Sequence, residues 1–381
     1  MKNIWLPEKE PEVKGKHIIP VCAPDIGACE RRYLMTAFDS SWISASGDFV
    51  KRFEDAFARE ISHTRYAVAV NSGTSALHVA LAALGIRQGD EVILPAFTMI
   101  ATINAVTYCG ATPVLIDADP ETWNMDVSKI EDKITKKTKV ILAVHTYGMP
   151  ADMDKILVIA RRRKLLVIED ASEAHGGEMN GRRVGGIGDV GAFSLYANKL
   201  VTTGEGGIVT TNDSGAAKRA RLLINHAFSQ GRHFWHSMVG FSYKMTNLQA
   251  AVGVGQVERF AELLAKKQAV AEAYRKELQS IPGLTLPPQK PDRTNTHWMF
   301  GILVDSKKFG MNKNELRKHL AAQGIETRSF FVPIHVQPVY RHLFKDEVYL
   351  AAEALCRDGL YLPSGTRLTK KEISRVVETI L

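Results

Sequence analysis

Four short segments carry residue types that could do chemistry together. The first, Gly191-Ala192-Phe193-Ser194-Leu195-Tyr196-Ala197-Asn198-Lys199, is an apolar run that ends in a serine and a lysine. A lysine at the edge of a buried strand loses solvation, which lowers its pKa toward the neutral, nucleophilic amine. Such an amine can form a Schiff base. The second, Leu166-Val167-Ile168-Glu169-Asp170-Ala171-Ser172-Glu173, is an apolar run that ends in acids. A carboxylate there can face a cationic ring nitrogen, because open α/β sheets bind ligands at the carboxyl ends of their strands. The third, Asn71-Ser72-Gly73-Thr74-Ser75-Ala76-Leu77, places small residues between an apolar run and a helical pattern. Exposed N–H groups at the positive end of a helix dipole suit a phosphate, and Ser72, Thr74 and Ser75 add hydroxyls. The fourth, Thr202-Thr203-Gly204-Glu205-Gly206-Gly207-Ile208-Val209, surrounds a glutamate with glycines and allows backbone to approach closely near Lys199.

Each segment alone has an ordinary structural reading. Ser or Thr before a helix is a common N-cap. Asp170 suits a loop or cap equally well, most lysines are solvated, and glycines of this kind build turns. Their conjunction is more selective. A phosphate cradle, a strand-end acid, a strand-end serine and a lysine meet the needs of pyridoxal phosphate. That cofactor takes an imine-forming lysine, a carboxylate that keeps its ring nitrogen protonated, and donors for its phosphate. Gly186-Ile187-Gly188-Asp189-Val190-Gly191 fits G-x-G-x-x-G, but it follows a polar loop and runs into a strand. A dinucleotide fingerprint follows a strand and opens a helix, so this one is set aside. His226, His233 and His236 share an aromatic stretch with no Cys or carboxylate at ligand spacing, so no metal site is expected.

The elements that must position these residues follow from periodicity. Apolar runs at Tyr66–Val70, Glu91–Pro95, Pro113–Asp117, Lys139–His145, Leu165–Glu169, Val190–Leu195 and Gly207–Thr211 read as strands, several of them covered on both faces. Helical patterns at Ser75–Leu84, Ile100–Cys109 and Met153–Lys164 alternate with them, which predicts a mostly parallel α/β sheet of about seven strands. Gln249 to Ser280 reads as one long helical region, followed by a proline-rich connection. A strand at Trp298–Val304, a helix at Asn314–Gln323, a strand at Glu326–Phe330 and a helix at Lys370–Ile380 form a smaller α+β part. The expected domains are 1–247, large, and 248–381, small.

Composition narrows the class without choosing the chemistry. The chain has 381 residues, 45% hydrophobic and 24% charged, which are ordinary globular values. The net charge of +8 permits phosphate-bearing ligands, nucleic acid or acidic membranes. No helix-turn-helix, zinc or RNA-binding motif supports nucleic acid. Cys22, Cys29, Cys109 and Cys356 are too few and too scattered to staple a secreted fold. Residues 1–8 have no signal-peptide core, and the most apolar stretch, Tyr66 to Leu84, is broken by Asn71, Ser72, Gly73, Thr74 and His78. A cytoplasmic protein with no membrane partner is expected.

The segments NSGTSAL, PAFTMIAT, VIEDASEAHG, GAFSLYANKLVTTGEGG and GFSYKMTNLQAAVG resemble the DegT/DnrJ/EryC1/StrS sugar aminotransferase family, from about Ile19 to Tyr361. The resemblance implies a fold-type I pyridoxal-phosphate aminotransferase, with a seven-stranded mainly parallel sheet and a smaller C-terminal domain, working as a homodimer with a shared active site. It implies that Lys199 holds the cofactor and carries protons, and that Asp170 pairs with the ring nitrogen. It assigns Gly73, Thr74 and Ser194 to the phosphate, Asn247 to the phosphate of the other subunit, and Glu173 to the neighbourhood of the ring hydroxyl. Trp42, Ser44, Lys244 and His335 match regions that line the sugar site. The stretches YANK-TTGEGG and WHSMVGFSYKMTN resemble the branch that uses a GDP-linked sugar.

This implies amination of a nucleotide-linked 4-keto-6-deoxy sugar in polysaccharide (O-antigen) biosynthesis. The specific expectation is GDP-4-keto-6-deoxymannose to GDP-perosamine, with glutamate becoming 2-oxoglutarate. Lys244 or Arg232, then Arg328, would draw the diphosphate. Three positions depart from the family. Met99 replaces an aromatic ring-stacking residue, and a thioether packs less rigidly. Lys244 replaces an arginine and cannot make its bidentate contact. Glu173 replaces a glutamine and adds a carboxyl near the ring oxygen. Alternatives are a UDP- or dTDP-linked keto sugar, a sugar dehydratase, whose relatives carry histidine in place of Lys199, and a non-catalytic regulator on the same fold.

Overall fold

All seven apolar runs between residues 66 and 211 become strands of one sheet in the computed structural model of the protein, which describes residues 8–15, 17–228 and 234–381. They are β1 (Tyr66–Val70), β2 (Glu91–Pro95), β3 (Thr112–Ile116), β4 (Thr138–Val144) and β5 (Leu166–Asp170), then, after a small hairpin of β6 (Glu178–Met179) and β7 (Arg182–Arg183), β8 (Val190–Ser194) and β9 (Gly207–Thr211). The order across the sheet is β1-β9-β8-β5-β4-β2-β3. Only β9 opposes its neighbours, so the other strands all point their carboxyl ends to one edge.

The helices are α1 (Ala28–Asp39), α2 (Asp48–Phe57), α3 (Gly73–Ala83), α4 (Ala101–Tyr108), α5 (Met153–Arg163), α6 (Ser214–Leu223), α7 (Asn247–Glu258) and α8 (Phe260–Leu278). Alternation along the strands divides the core between two faces. Val92, Leu94, Val140, Leu142 and Ile168 pack toward α3 and α4. Ile93, Ile141, Ala143 and Val167 pack toward α5. Both faces are covered, which is why these strands read as continuous apolar runs.

The expected long helix is two helices. Arg259 leaves helical geometry (φ −99°, ψ 5°) and turns its guanidinium onto Asp25 at 2.9 Å and Glu30 at 3.1 Å. Beyond it lie β10 (Leu284–Thr285), β11 (Arg293–Thr294), β12 (Phe300–Val304), α9 (Ser306–Phe309), α10 (Lys313–Ala322), β13 (Arg328–Ser329), α11 (Leu350–Asp358), β14 (Gly359–Leu362) and α12 (Lys370–Ile380). The expected strand at Glu326–Phe330 shrinks to two residues, and β14, unforeseen in the sequence, pairs with both β12 and β13. This second sheet has its own core, with Tyr274, Phe300, Leu316, Leu360 and Val376 fully buried.

Candidate active site

The carboxyl edge of the large sheet brings together residues from five strand ends. At the end of β5, successive side chains point to opposite faces. Asp170 turns toward α4, where its Oδ2 accepts a hydrogen bond from Thr102 Oγ1 at 2.9 Å and its Oδ1 accepts from the Ser172 N–H at 3.2 Å. Thr98 stands behind Thr102 at 3.0 Å, so a short hydroxyl chain fixes the carboxylate. Glu169 turns the other way and is completely buried. It accepts from the N–H groups of Gly185 (2.8 Å), Ile187 and Gly188 (both 2.7 Å) and from His145 Nε2 (3.0 Å). His145 Nδ1 accepts the Ala151 N–H, which leaves the proton on Nε2. The rejected glycine pattern thus has a structural employment: its N–H groups wrap an internal carboxylate.

Lys199 follows the end of β8, and its side chain is 9% exposed. Its Nζ lies 4.0 Å from Glu173 Oε1 and 3.6 Å from the centre of the Trp298 ring. Burial lowers the lysine pKa, opposed by the carboxylates of Glu173 and Asp170. Burial also raises Glu173, opposed by Lys199 and by the Tyr147 N–H that bonds its Oε2 at 2.8 Å. Tyr147 makes that bond from a left-handed backbone (φ 53°), an uncommon setting for a bulky side chain and a frequent mark of a functional site. Its ring lies against Phe331 and Trp298, and its hydroxyl accepts the Phe331 N–H at 3.0 Å.

The small residues 72–74 meet Ser194 across the sheet. Ser72 caps α3 through the Ser75 N–H at 3.1 Å. The next N–H groups, of Gly73 and Thr74, have no acceptor within the helix. A Cβ on Gly73 would fall 2.7 Å from Ser194 Cβ, and one on Gly207 would fall 2.2 Å from Ser72 O. Glycine at both places lets the β8 and β9 ends close against the helix terminus. Lys244 is exposed but adjacent, since it bridges Val70 at the end of β1.

Other expected residues are placed differently. Met99 is 48% exposed, with its sulfur 3.0 Å from the Ala101 N–H. Asn247 is buried and engaged by its own chain: Oδ1 accepts the Phe49 N–H at 2.9 Å, Nδ2 donates to Trp42 O at 2.6 Å, and its N–H donates to Ser44 O at 2.8 Å. Trp42, Ser44 and Asn247 therefore form one unit, with the Trp42 indole exposed. His335 is buried against α11, with Nε2 3.0 Å from Glu353 Oε1. Arg328 is paired with Glu326 and Glu10. Arg232 and His233 lie outside the described residues. Thr102, Tyr147 and Trp298 had not been singled out. Tyr147 sits just past the end of β4, where the edge rule could have found it, and Thr102 lies in the first turn of α4; Trp298 arrives from the bend before β12 and leaves no local signal.

The groups at this edge suit pyridoxal phosphate: a buried amine, a fixed carboxylate nearby and a glycine-lined helix terminus for a phosphate. Together with the sheet order they define the class of a pyridoxal-phosphate aminotransferase. Residues 24–381 match the DegT/DnrJ/EryC1/StrS aminotransferase family, and the chain belongs to it. It is 45% identical to the GDP-perosamine synthase of Caulobacter vibrioides, over 95% of this chain and 97% of that one. It is 42% identical to the GDP-perosamine synthase of Escherichia coli O157:H7, again over 95% and 97%. Among solved structures, S. venezuelae DesV superposes with a TM-score of 0.87 at 35% identity, covering 92% of this chain and 93% of that one.

Proposed function

We propose that this chain transfers an amino group from glutamate to a GDP-linked 4-keto-6-deoxy sugar, making GDP-perosamine. The observation that carries the chemistry is the Lys199 amine, buried beside Glu173 with Asp170 close enough to bias its charge. The sugar and nucleotide rest on likeness to relatives that are named GDP-perosamine synthase and are 37–45% identical.

Bound at this edge, pyridoxal phosphate supplies an aldehyde that carries the amino group and a ring that draws off electrons. The chain does the rest. Lys199 holds the cofactor and then, freed, moves a proton between two carbons as base and acid. Its lowered pKa keeps both the amine that takes the proton and the ammonium that returns it within reach. Asp170, locked by Thr102, holds a positive ring nitrogen. Gly73, Thr74 and Ser194 hold the phosphate. Glu173, pushed toward its neutral form, can donate a proton to the ring oxygen as a glutamine amide would. Trp42, Ser44 and Asn247 reach the site of a second copy of the chain, with residues 1–247 serving the cofactor and 248–381 closing over the sugar.

Purified protein would be assayed with glutamate and a panel of GDP-, UDP- and dTDP-linked 4-keto sugars, following 2-oxoglutarate. Turnover is expected with the GDP sugar. Turnover only with a UDP or dTDP sugar would overturn the nucleotide assignment, and a dehydrated sugar without 2-oxoglutarate would overturn transamination.

A further inference from the structure

We propose that Trp298 is a positioning residue for Lys199, its indole face serving as the resting place of the free ammonium between the two halves of the reaction. The proposal rests on Lys199 being the covalent lysine. Each turnover frees that side chain and takes it back, so it needs a second defined position. Without one, a four-carbon stem would wander and lose its aim.

Nζ lies 3.6 Å from the Trp298 ring centre, well within the range in which an aromatic face attracts a cation. Glu173 Oε1, at 4.0 Å, is beyond a charge-assisted hydrogen bond. Attraction comes from Asp170 and from the ionised fraction of Glu173, and the ring supplies the seat.

The seat is rigid and tied to the lysine it serves. Trp298 is 6% exposed. Its Nε1–H donates to the carbonyl of Asn198, the residue before Lys199, at 3.0 Å. The same carbonyl is 3.6 Å from Cys22 Sγ. Tyr147 and Phe331 stack nearby, at 6.1 Å and 6.4 Å between ring centres. The indole thus cannot shift without disturbing the Lys199 backbone. The ionisable groups acting on Lys199 are Glu173 and Asp170 from the end of β5 and its following turn, and Cys22 from the segment before α1; His175 feels Lys199 in return. The ring is an uncharged addition to this set. It favours the ammonium without creating a second ion pair that Lys199 would have to break.

The test compares wild type, Trp298→Phe and Trp298→Leu as full-length holoenzyme in the pyridoxamine-phosphate form, where Lys199 is free. Acetic anhydride labels Lys199 across a pH range, and mass spectrometry normalises it to the exposed Lys51. Losing the ring removes support for the charged form, so the labelling midpoint of Lys199 should fall by about half to one pH unit in Trp298→Leu. Trp298→Phe, with a weaker ring, should fall by less. The turnover number of Trp298→Leu should drop about three- to tenfold with the sugar KM unchanged. A midpoint that stays or rises in Trp298→Leu, or equal falls in both variants, contradicts the proposal. Borohydride trapping of wild type separates the two ideas: an adduct away from Lys199 removes the covalent assignment, while an adduct at Lys199 with an unmoved midpoint removes only the role of Trp298.

Discussion

Lys199 and Glu173 share one dry volume, and burial makes charge costly for both. Glu173 therefore keeps its proton to higher pH in the folded protein than in the unfolded chain. The stability this contributes is complete below about pH 4 and is lost as pH rises through the raised value. Glu173→Gln has no such proton to lose. Its melting temperature in cofactor-free protein should fall less than that of wild type between about pH 6 and about pH 8, by scanning calorimetry. Equal slopes would mean that Glu173 titrates normally. Thr102 acts on Asp170 through one hydroxyl. Thr102→Val removes a hydrogen bond to a charged group, worth about 1.5–3 kcal/mol, so pyridoxal phosphate should bind at least about tenfold more weakly in equilibrium dialysis.

The elements were legible where periodicity was continuous. The buried runs of β1, β2 and β9 have the bounds their sequence suggests, and β8 ends one residue sooner, at Ser194. β13 and β14 were not legible in the same way. They are short and pair across a long sequence gap, so their pairing is decided by the second core and not by local pattern. The same holds for the site. Asp170 and Ser194 end strands and Gly73 and Lys199 follow strand ends, so all four could be named from sequence as candidates, whereas Trp298 and the Tyr147 backbone come from tertiary packing. Two predictions belong to this scale. Gly73→Ala places a methyl 2.7 Å from Ser194 Cβ, so α3 and β8 must part. It should cost about 1–3 kcal/mol in urea unfolding and weaken cofactor binding together. Glu169→Ala strands the N–H groups of Gly185, Ile187 and Gly188. It should destabilise by about 3 kcal/mol or more, although Glu169 faces away from Asp170 on the other side of the sheet.

Besides the seven-stranded sheet, the described residues form a four-stranded sheet and a small three-stranded one, in which β11 of the second part pairs with β6 of the first. The second part brings Trp298 against the Lys199 amine, with Phe331 stacked beside it, at an edge whose lysine and carboxylates come from the first. Lys244, exposed and bridged to Val70 at the end of β1, is one part of the net charge of +8 that lies near this edge. If a second copy completes each site, mixed Lys199→Ala and Asn247→Ala subunits should recover up to about a quarter of wild-type turnover, because one site of each hybrid pair then carries neither change. No recovery from subunits shown to exchange would place Asn247 within its own site. The most direct measurement of the central claim is borohydride reduction of the holoprotein followed by peptide mass spectrometry. The account predicts a single pyridoxyl adduct on Lys199 and none in Lys199→Ala, which should also lose turnover. An adduct on another lysine, or full transamination by Lys199→Ala, would contradict it.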